Sequence, residues 1–265
     1  MYNLTNTYSL TRAQVDAYRR DGHIYLPHLA TKEEIAYYRN EITTLVKRLN
    51  TERRAMHDRD TYGKAFLQIF NLWRESETMR RFVLARRFGY VAAQLMGVER
   101  VRIYHDQALF KEAGGGHTPW HQDQFYWPLD TDYTITMWMP LVDLTKDMGI
   151  MQFVSGSQKK GYILSTEISD ASEIFFSDYI GQHRLSISKR DAIQAGDATF
   201  HSGWTLHSAP PNETSTMREV MTIIYYADGA RILEPDTTFR KNDLKAWLGG
   251  KHPGEVAESE MNPIV

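Results

Sequence analysis

The sequence predicts a β-sandwich or barrel core buttressed by helices. Apolar stripes at helical spacing are confined to the first third, and from Val101 onward the texture changes to alternating, strand-like segments set apart by turn signals. Helices first and strands afterwards is the order expected when one sheet-built core carries a helical layer.

Thr11-Arg12-Ala13-Gln14 has the form of a capping box, and Val15, Tyr18 and Arg19 continue the helix to a stop at Gly22. Thr31-Lys32-Glu33-Glu34 repeats the signal ahead of a stripe through Ile35, Tyr38, Ile42, Leu45 and Leu49. A third helix is expected from Met79 to Met96, ending at Gly97. Arg102 to Phe110 reads as a strand, and Gly114-Gly115-Gly116 as a flexible loop before Trp120 to Pro128. Thr134 to Leu141 alternates, with Ile135, Met137, Met139 and Leu141 on one face and Thr134, Thr136, Trp138 and Pro140 on the other. Val154-Ser155-Gly156-Ser157 is a turn; Ser186–Ile193, Ala198–His207 and Glu219–Ala227 complete the strands, and residues 165–184 read as a less regular covering insertion.

The 265 residues fit a single domain, 1–265: a helical part over about 1–98, a strand-rich core over about 99–230 and a C-terminal extension over 231–265. With 42% hydrophobic and 12% aromatic residues, a substantial core can be buried. A net charge of −2 with no basic stripe argues against nucleic acid as a partner. The absence of cysteine excludes disulfides, thiolate zinc sites and a cysteine nucleophile. It also fits a reducing compartment, so a cytoplasmic location is expected. Met1 to Asn6 carries neither a basic region nor an apolar run, and no stretch is apolar enough for a membrane helix, so no membrane association is expected.

His121-Gln122-Asp123 carries the most chemistry. On extended chain, residues i and i+2 share a face, so an imidazole and a carboxylate converge, and one distant histidine would complete the two-His, one-carboxylate set of non-haem Fe(II) sites. Alone, the triplet is weak, because a solvated His–Asp pair looks the same. His201 and His207 are both candidates for the third position; six residues apart on one strand, they face the same side, and periodicity does not choose between them. Arg218, at the start of the next strand, could grip a carboxylate with two parallel hydrogen bonds or simply pair with Glu213 or Glu219 at the surface.

Taken together, these segments resemble the phytanoyl-CoA dioxygenase family of Fe(II)/2-oxoglutarate oxygenases, from Arg19-Arg20-Asp21-Gly22 to about Asp228. The similarity is strongest at Trp120 to Asp123, at Gly149 through Gly156-Ser157, and at Gly196-Asp197 through Arg218. The resemblance implies a double-stranded β-helix, a cupin-like jelly-roll, for the core. It implies Fe(II) ligands His121, Asp123 and His207, with His201 left to the pocket wall or core. It also implies 2-oxoglutarate bound through Arg218, Trp138 packed beside it, Gln107 in contact with it, and Lys111 on the same strand entering the site. Family members often carry a hydroxyl residue two positions after the distal histidine; here Ala209 stands there and Ser208 precedes it, so Ser208 substitutes or that hydrogen bond is absent. The presence of Asp123 disfavours halogenation.

By the same resemblance the protein takes Fe(II), 2-oxoglutarate and O2, with ascorbate as a stimulant, and activates a C–H bond of a small molecule. Hydroxylation is the default, with epimerisation, ring closure or desaturation in secondary metabolism as other outcomes, and the working form is a monomer or homodimer. Trp120, Phe125, Tyr126, Trp127 and Trp204 flank the ligands and, with Lys111, suggest a pocket for a bulky, partly apolar or aromatic substrate, although several of them could simply fill the core. Two other classes compete: a zinc hydrolase with the same ligand geometry, which leaves Arg218 without a purpose, and a non-catalytic jelly-roll binding protein.

Overall fold

The computed structural model describes residues 2–164 and 166–265. Helices α1 (Arg12–Asp21) and α2 (Lys32–Leu49) form where the capping boxes predict them, each N-cap threonine accepting from the third backbone N–H while that residue's side chain accepts from the cap. Helix α1 ends on Gly22 at φ 78°, a left-handed conformation that glycine adopts without strain. Between them lies β1 (His23–Leu26), and α3 (Thr61–Ala65) and β2 (Leu67–Phe70) follow. The single helix expected over Met79–Met96 is instead two, α4 (Glu77–Val83) and α5 (Arg86–Met96). The backbone leaves helical geometry at Leu84 and Ala85, and the turn brings Phe82 and Phe88 edge to face in the core, 5.5 Å between ring centroids. Buried Arg87 joins α5 to α2 through both carboxylate oxygens of Glu34, the same residue that completes the Thr31 cap.

The strand-rich part begins with β3 (Val101–Phe110), β4 (Thr118–His121), β5 (Thr134–Pro140), β6 (Leu144–Thr145) and β7 (Gln152–Val154). The insertion expected to be irregular contains α6 (Asp170–Gln182), capped by Ser169 and Ser172; Ser165 lies outside the described residues. Phe176 and Ile180 of α6 cover Trp120, Val154 and Leu206. In place of one strand over Ser186–Ile193 there are two short ones, β8 (Ile187–Ser188) and β9 (Ala192–Ile193), which pair with β7 and β6 respectively. Strands β10 (Ala198–Ser202), β11 (His207–Ala209) and β12 (Val220–Ala227) and helix α7 (Thr238–Trp247) complete the order.

All strand pairings are antiparallel, in a larger sheet β1-β10-β5-β12-β3-β2, a smaller sheet β4-β11-β7-β8 and the pair β6-β9. This is a jelly-roll core with flanking helices. The alternation read from β5 decides its sidedness: Ile135, Met137 and Met139 join the core shared with α2, α4 and α5, while Thr136 and Trp138 line a cavity shared with the smaller sheet. The helical first third also supplies both edges of the larger sheet, since β1 and β2 occupy its outer positions.

The strand expected over Ala198–His207 is broken. His201 stays in the larger sheet opposite Thr136, whereas His207 crosses to the smaller sheet opposite His121. Gly203 sits in the break. A Cβ there would fall 2.4 Å from the Thr134 hydroxyl and 2.6 Å from Gln124 Oε1, closer than real Cβ contacts come. Gly203→Ala should therefore destabilise the protein by about 1–3 kcal/mol through overpacking; an unchanged urea-unfolding midpoint would show that the crossing tolerates a side chain.

Candidate active site

Pairing of β4 with β11 sets His121 directly across from His207, with 4.1 Å between ring centroids. Each Nδ1 lies on the carbonyl two residues upstream, at 2.7 Å from Pro119 and 2.8 Å from Thr205. A proton on Nδ1 leaves the Nε2 lone pair of both rings free as a ligand. Asp123 follows β4 at the start of a 3-10 turn and puts Oδ1 3.5 Å from His121 Nε2 and 3.6 Å from His207 Nε2. Its Oδ2 accepts from the Thr136 hydroxyl at 3.0 Å and lies 3.2 Å from His201 Nε2.

The ligand atoms of His121, Asp123 and His207 all lie within 4.8 Å of one another. Two donors bound at right angles to one divalent ion stand about 3 Å apart. The set can therefore hold one metal through a single carboxylate oxygen, with little movement. Burial by itself would raise the Asp123 pKa, but its interactions with His207, His121 and His201 outweigh it and hold the carboxyl well below its usual range. Burial, then repulsion from His121, keeps the His207 imidazole well below its usual pKa. Both groups are thus in the forms a metal takes.

Beside the cluster lies an inner cavity of about 90 Å³, walled by both sheets. Arg218 lines it, and Lys111 lies beside Arg218 across the strands without lining it. Arg218 is 1% exposed; its Nη1 donates to the Gly149 carbonyl at 2.5 Å, its buried Nε has no partner, and its guanidinium carbon stands 5.6 Å from the Trp138 ring centre. Burial brings the Arg218 pKa down to about 9. Lys111 is 0% exposed and donates to the Gly116 carbonyl and, at 3.5 Å, to the Thr118 hydroxyl. Burial and then the Arg218 charge drag its pKa down to about 6. Among the described residues, no carboxylate pairs with either cation. The bridge that joins Lys111 to Arg218 across the strands places them side by side.

A larger outer cavity of about 670 Å³ meets the inner one at Asp123, Tyr62, Gln68, Gln107 and Ile168, which line both. The Tyr62 hydroxyl donates to Gln68 at 2.9 Å, and Gln68 in turn donates to Gln107 Oε1, so Gln107 is held from its carbonyl side. Of the other residues singled out from sequence, Trp138 and Ser208 line the inner cavity, the Ser208 hydroxyl accepting from Gln152 at 2.8 Å; Ala209 lines it as well. Tyr126 and Trp127 line the outer one. Trp120, Phe125 and Trp204 line neither cavity: Trp120 is buried beneath α6, Phe125 packs on Tyr126 and Phe239, and Trp204 donates to Asp132. His201 lines the inner cavity, with its Nε2 3.2 Å from Asp123 Oδ2.

Sequence reasoning missed Thr136, although it shares a face with Trp138 at i+2, and the α7 residues Phe239, Asp243 and Trp247, which fall in the C-terminal extension. The only signal for α7 is a capping threonine, Thr237, ahead of a weak Leu244/Leu248 repeat.

Jelly-roll sheets enclosing a His-Asp-His cluster define an Fe(II)/2-oxoglutarate oxygenase. The family model described as phytanoyl-CoA dioxygenase matches residues 18–220, and the chain belongs to that family. Over 264 residues, covering 94% of this chain and 98% of the other, it is 23% identical to a methylphosphonate hydroxylase of Gimesia maris. Among solved structures, the non-haem α-ketoglutarate-dependent carbocyclase SnoK from nogalamycin biosynthesis superposes with a TM-score of 0.80 at 23% identity, covering 97% of each chain. The epimerase SnoN, solved with Fe3+, α-ketoglutarate and nogalamycin RO, gives 0.77 at 24% identity, covering 95% of this chain and 97% of that one. The resemblance read from sequence is borne out. No helix among the described residues is long and apolar enough to cross a membrane.

Two histidines near the site set an acid limit on stability. Burial lowers His105 to about 3 and His23 to about 4. As pH falls from about 6.5 the unfolded chain takes up protons on these rings and the folded chain does not, so stability declines by about 1.4 kcal/mol per pH unit for each ring until its folded pKa is reached. His105→Phe should make the pH dependence of unfolding of the metal-free protein shallower by about one proton over this window; identical slopes in the two proteins would contradict the burial argument.

Proposed function

We propose that this protein activates a C–H bond of a small, bulky and partly aromatic metabolite, holding Fe(II) on His121, Asp123 and His207 and receiving the far carboxylate of 2-oxoglutarate between Arg218 and Lys111. One observation carries the reading: fully buried Arg218, with an unpartnered Nε and no carboxylate partner among the described residues, lines the same cavity as the His-Asp-His cluster, and buried Lys111 lies beside it across the strands. Keeping a guanidinium in the interior is costly, and an anion lodged against it offsets that cost. A zinc hydrolase gives this pair nothing to do.

When bound, Fe(II) with 2-oxoglutarate and O2 supplies the oxidant that takes a hydrogen atom from substrate and leaves succinate and CO2. The chain's own groups bind and aim. Thr136 and His201 fix the Asp123 carboxylate, and Trp138 flanks the co-substrate beside Arg218. Gln107 offers its amide where the two cavities meet, held there by Gln68. On this reading Lys111, suggested from sequence as a substrate contact, belongs to the co-substrate. Ser208 lies on the same wall with its hydroxyl already engaged by Gln152. Substrate occupies the outer cavity, against Tyr126 and Trp127. Hydroxylation is the default outcome. The likeness in fold to a carbocyclase and an epimerase of nogalamycin biosynthesis supports tailoring of a secondary metabolite, where ring closure, epimerisation or desaturation would replace rebound. A phosphonate, as in the name of the Gimesia maris relative, is disfavoured because no Lys or Arg lines the outer cavity among the described residues. The cytoplasm as its compartment, and a monomer or homodimer as its form, complete the reading.

Succinate formation that requires both Fe(II) and O2 is the direct test, and Asp123→Ala should abolish it; turnover that survives the substitution would remove Asp123 from the ligand set. Lys111 gives a second signature. It is largely neutral above pH 6 in the free protein and becomes charged when a carboxylate binds beside it. Calorimetry in buffers of different ionisation enthalpy should then report uptake of about one proton per 2-oxoglutarate at pH 7.5, falling to about half a proton near pH 6. Lys111→Met should eliminate the uptake, and persistence of it would place the anion elsewhere.

A further inference from the structure

The outer cavity is charged in the opposite sense to the inner one. Asp60, Glu167, Asp170 and Asp243 line it, and no Lys or Arg does among the described residues. Three of these acids stand at the exposed rim, but Asp243, on α7, is partly buried. It accepts from the Tyr104 hydroxyl at 2.8 Å and has no cationic partner, and burial pushes its carboxyl up to about 7 against the opposing hydrogen bonds from Tyr104 and Trp247. The cation beside it on the same helix, Arg240, is engaged by the Phe125 carbonyl and Asp236.

A second, independent feature lies on the same wall. His105 is 5% exposed, lines the cavity, and its Nδ1 has no hydrogen-bond partner. Its ring is enclosed by aromatics, with centroids 5.2 Å from Phe70 and 5.2 Å from Trp247, and these two rings stack at 5.0 Å. A carboxylate short of a counter-charge beside three packed rings is what an ammonium group requires, since it offers three donors and a positive charge that aromatic faces attract.

We propose that the substrate carries a protonated amine joined to a flat apolar body, and that Asp243, His105, Phe70 and Trp247 form the amine's site. This inference rests on the outer cavity being the substrate pocket, and it names the class of substrate that the pocket takes. Asp243 supplies the counter-charge, the rings of Phe70, His105 and Trp247 flank the ammonium, and the apolar body lies along Trp127 and Tyr126 towards Asp123.

Three indole probes that share a ring and an ethylene linker but differ in terminal charge test it by calorimetry on the full chain: tryptamine, N-acetyltryptamine and indole-3-propionate. Tryptamine should bind about tenfold more tightly than its neutral N-acetyl form, a gap worth about 1.4 kcal/mol, with the carboxylate weakest. Asp243→Asn, which keeps an acceptor for Tyr104, should remove most of the tryptamine advantage. If that variant does not fold, Trp247→Leu takes its place, and an undiminished preference for the amine in either folded variant overturns the proposal. So does equal binding of the three probes, tighter binding of the carboxylate, or no tryptamine binding at millimolar concentration. Titration of 2-oxoglutarate into the wild-type protein reports separately: if it binds while the amine preference is missing, this inference fails alone, and if it does not bind, the oxygenase reading fails.

Discussion

The carboxylate of Asp123 is shared between two sheets, and the geometry of the site depends on how its oxygens are divided. Thr136 and His201, from the larger sheet, meet at Oδ2. Oδ1 is left facing the two imidazoles that the smaller sheet brings together. A carboxylate held on one side can offer a metal only one oxygen, which leaves room on the ion for other ligands. It also explains why the helical layer matters to chemistry it never touches. Helices α2, α4 and α5 bury the far face of the larger sheet, so they fix the height at which Thr136 and His201 meet the carboxylate.

The same alternation that seats the hydrophobic face of β5 against the helices turns Thr136 and Trp138 inward, and on neighbouring strands it turns Gln107, His201 and Thr222 inward as well. A jelly-roll interior lined this way is poorer in apolar contact than a solid core, and Arg218 and Lys111 deepen the deficit by remaining buried without an acid. Such a cost persists in a folded chain only when the rest of the structure over-determines it. Here the over-determination is the large cluster on the outer face of the sheet, which runs from Leu4 to Tyr225.

Much of this was legible in the amino-acid order, because the informative signals are local. Capping boxes at Thr11 and Thr31, the two faces of Thr134–Leu141 and the i, i+2 relation of His121 to Asp123 need only a few neighbouring residues to be read. What was lost depends on contacts far along the chain. Strands β1 and β2 are four residues each, too short to show a period, and become strands because β10 and β3 lie beside them. Periodicity could not choose between His201 and His207 because their even spacing puts both on one face of a strand; the chain separates them by breaking at Gly203, and only that residue's crowding by Thr134 and Gln124 shows why. Asp243 and His105 lie 138 residues apart (243 − 105 = 138) and share a wall only after α7 folds back over the larger sheet.

On the proposed reading, charge would sort the two reactants along one continuous space. Arg218 lines the inner cavity, carboxylates line the outer one, and Asp123 stands where the two meet. Two unit charges about 8 Å apart interact by roughly 2 kcal/mol at an effective dielectric near 20. Over such distances a dianion would gain by moving inward to Arg218, and an ammonium by staying among the outer acids. On that reading neither reactant would need a dedicated gate to find its side of Asp123. The electrostatic gradient that makes the interior costly to fold is also what orders the molecules within it.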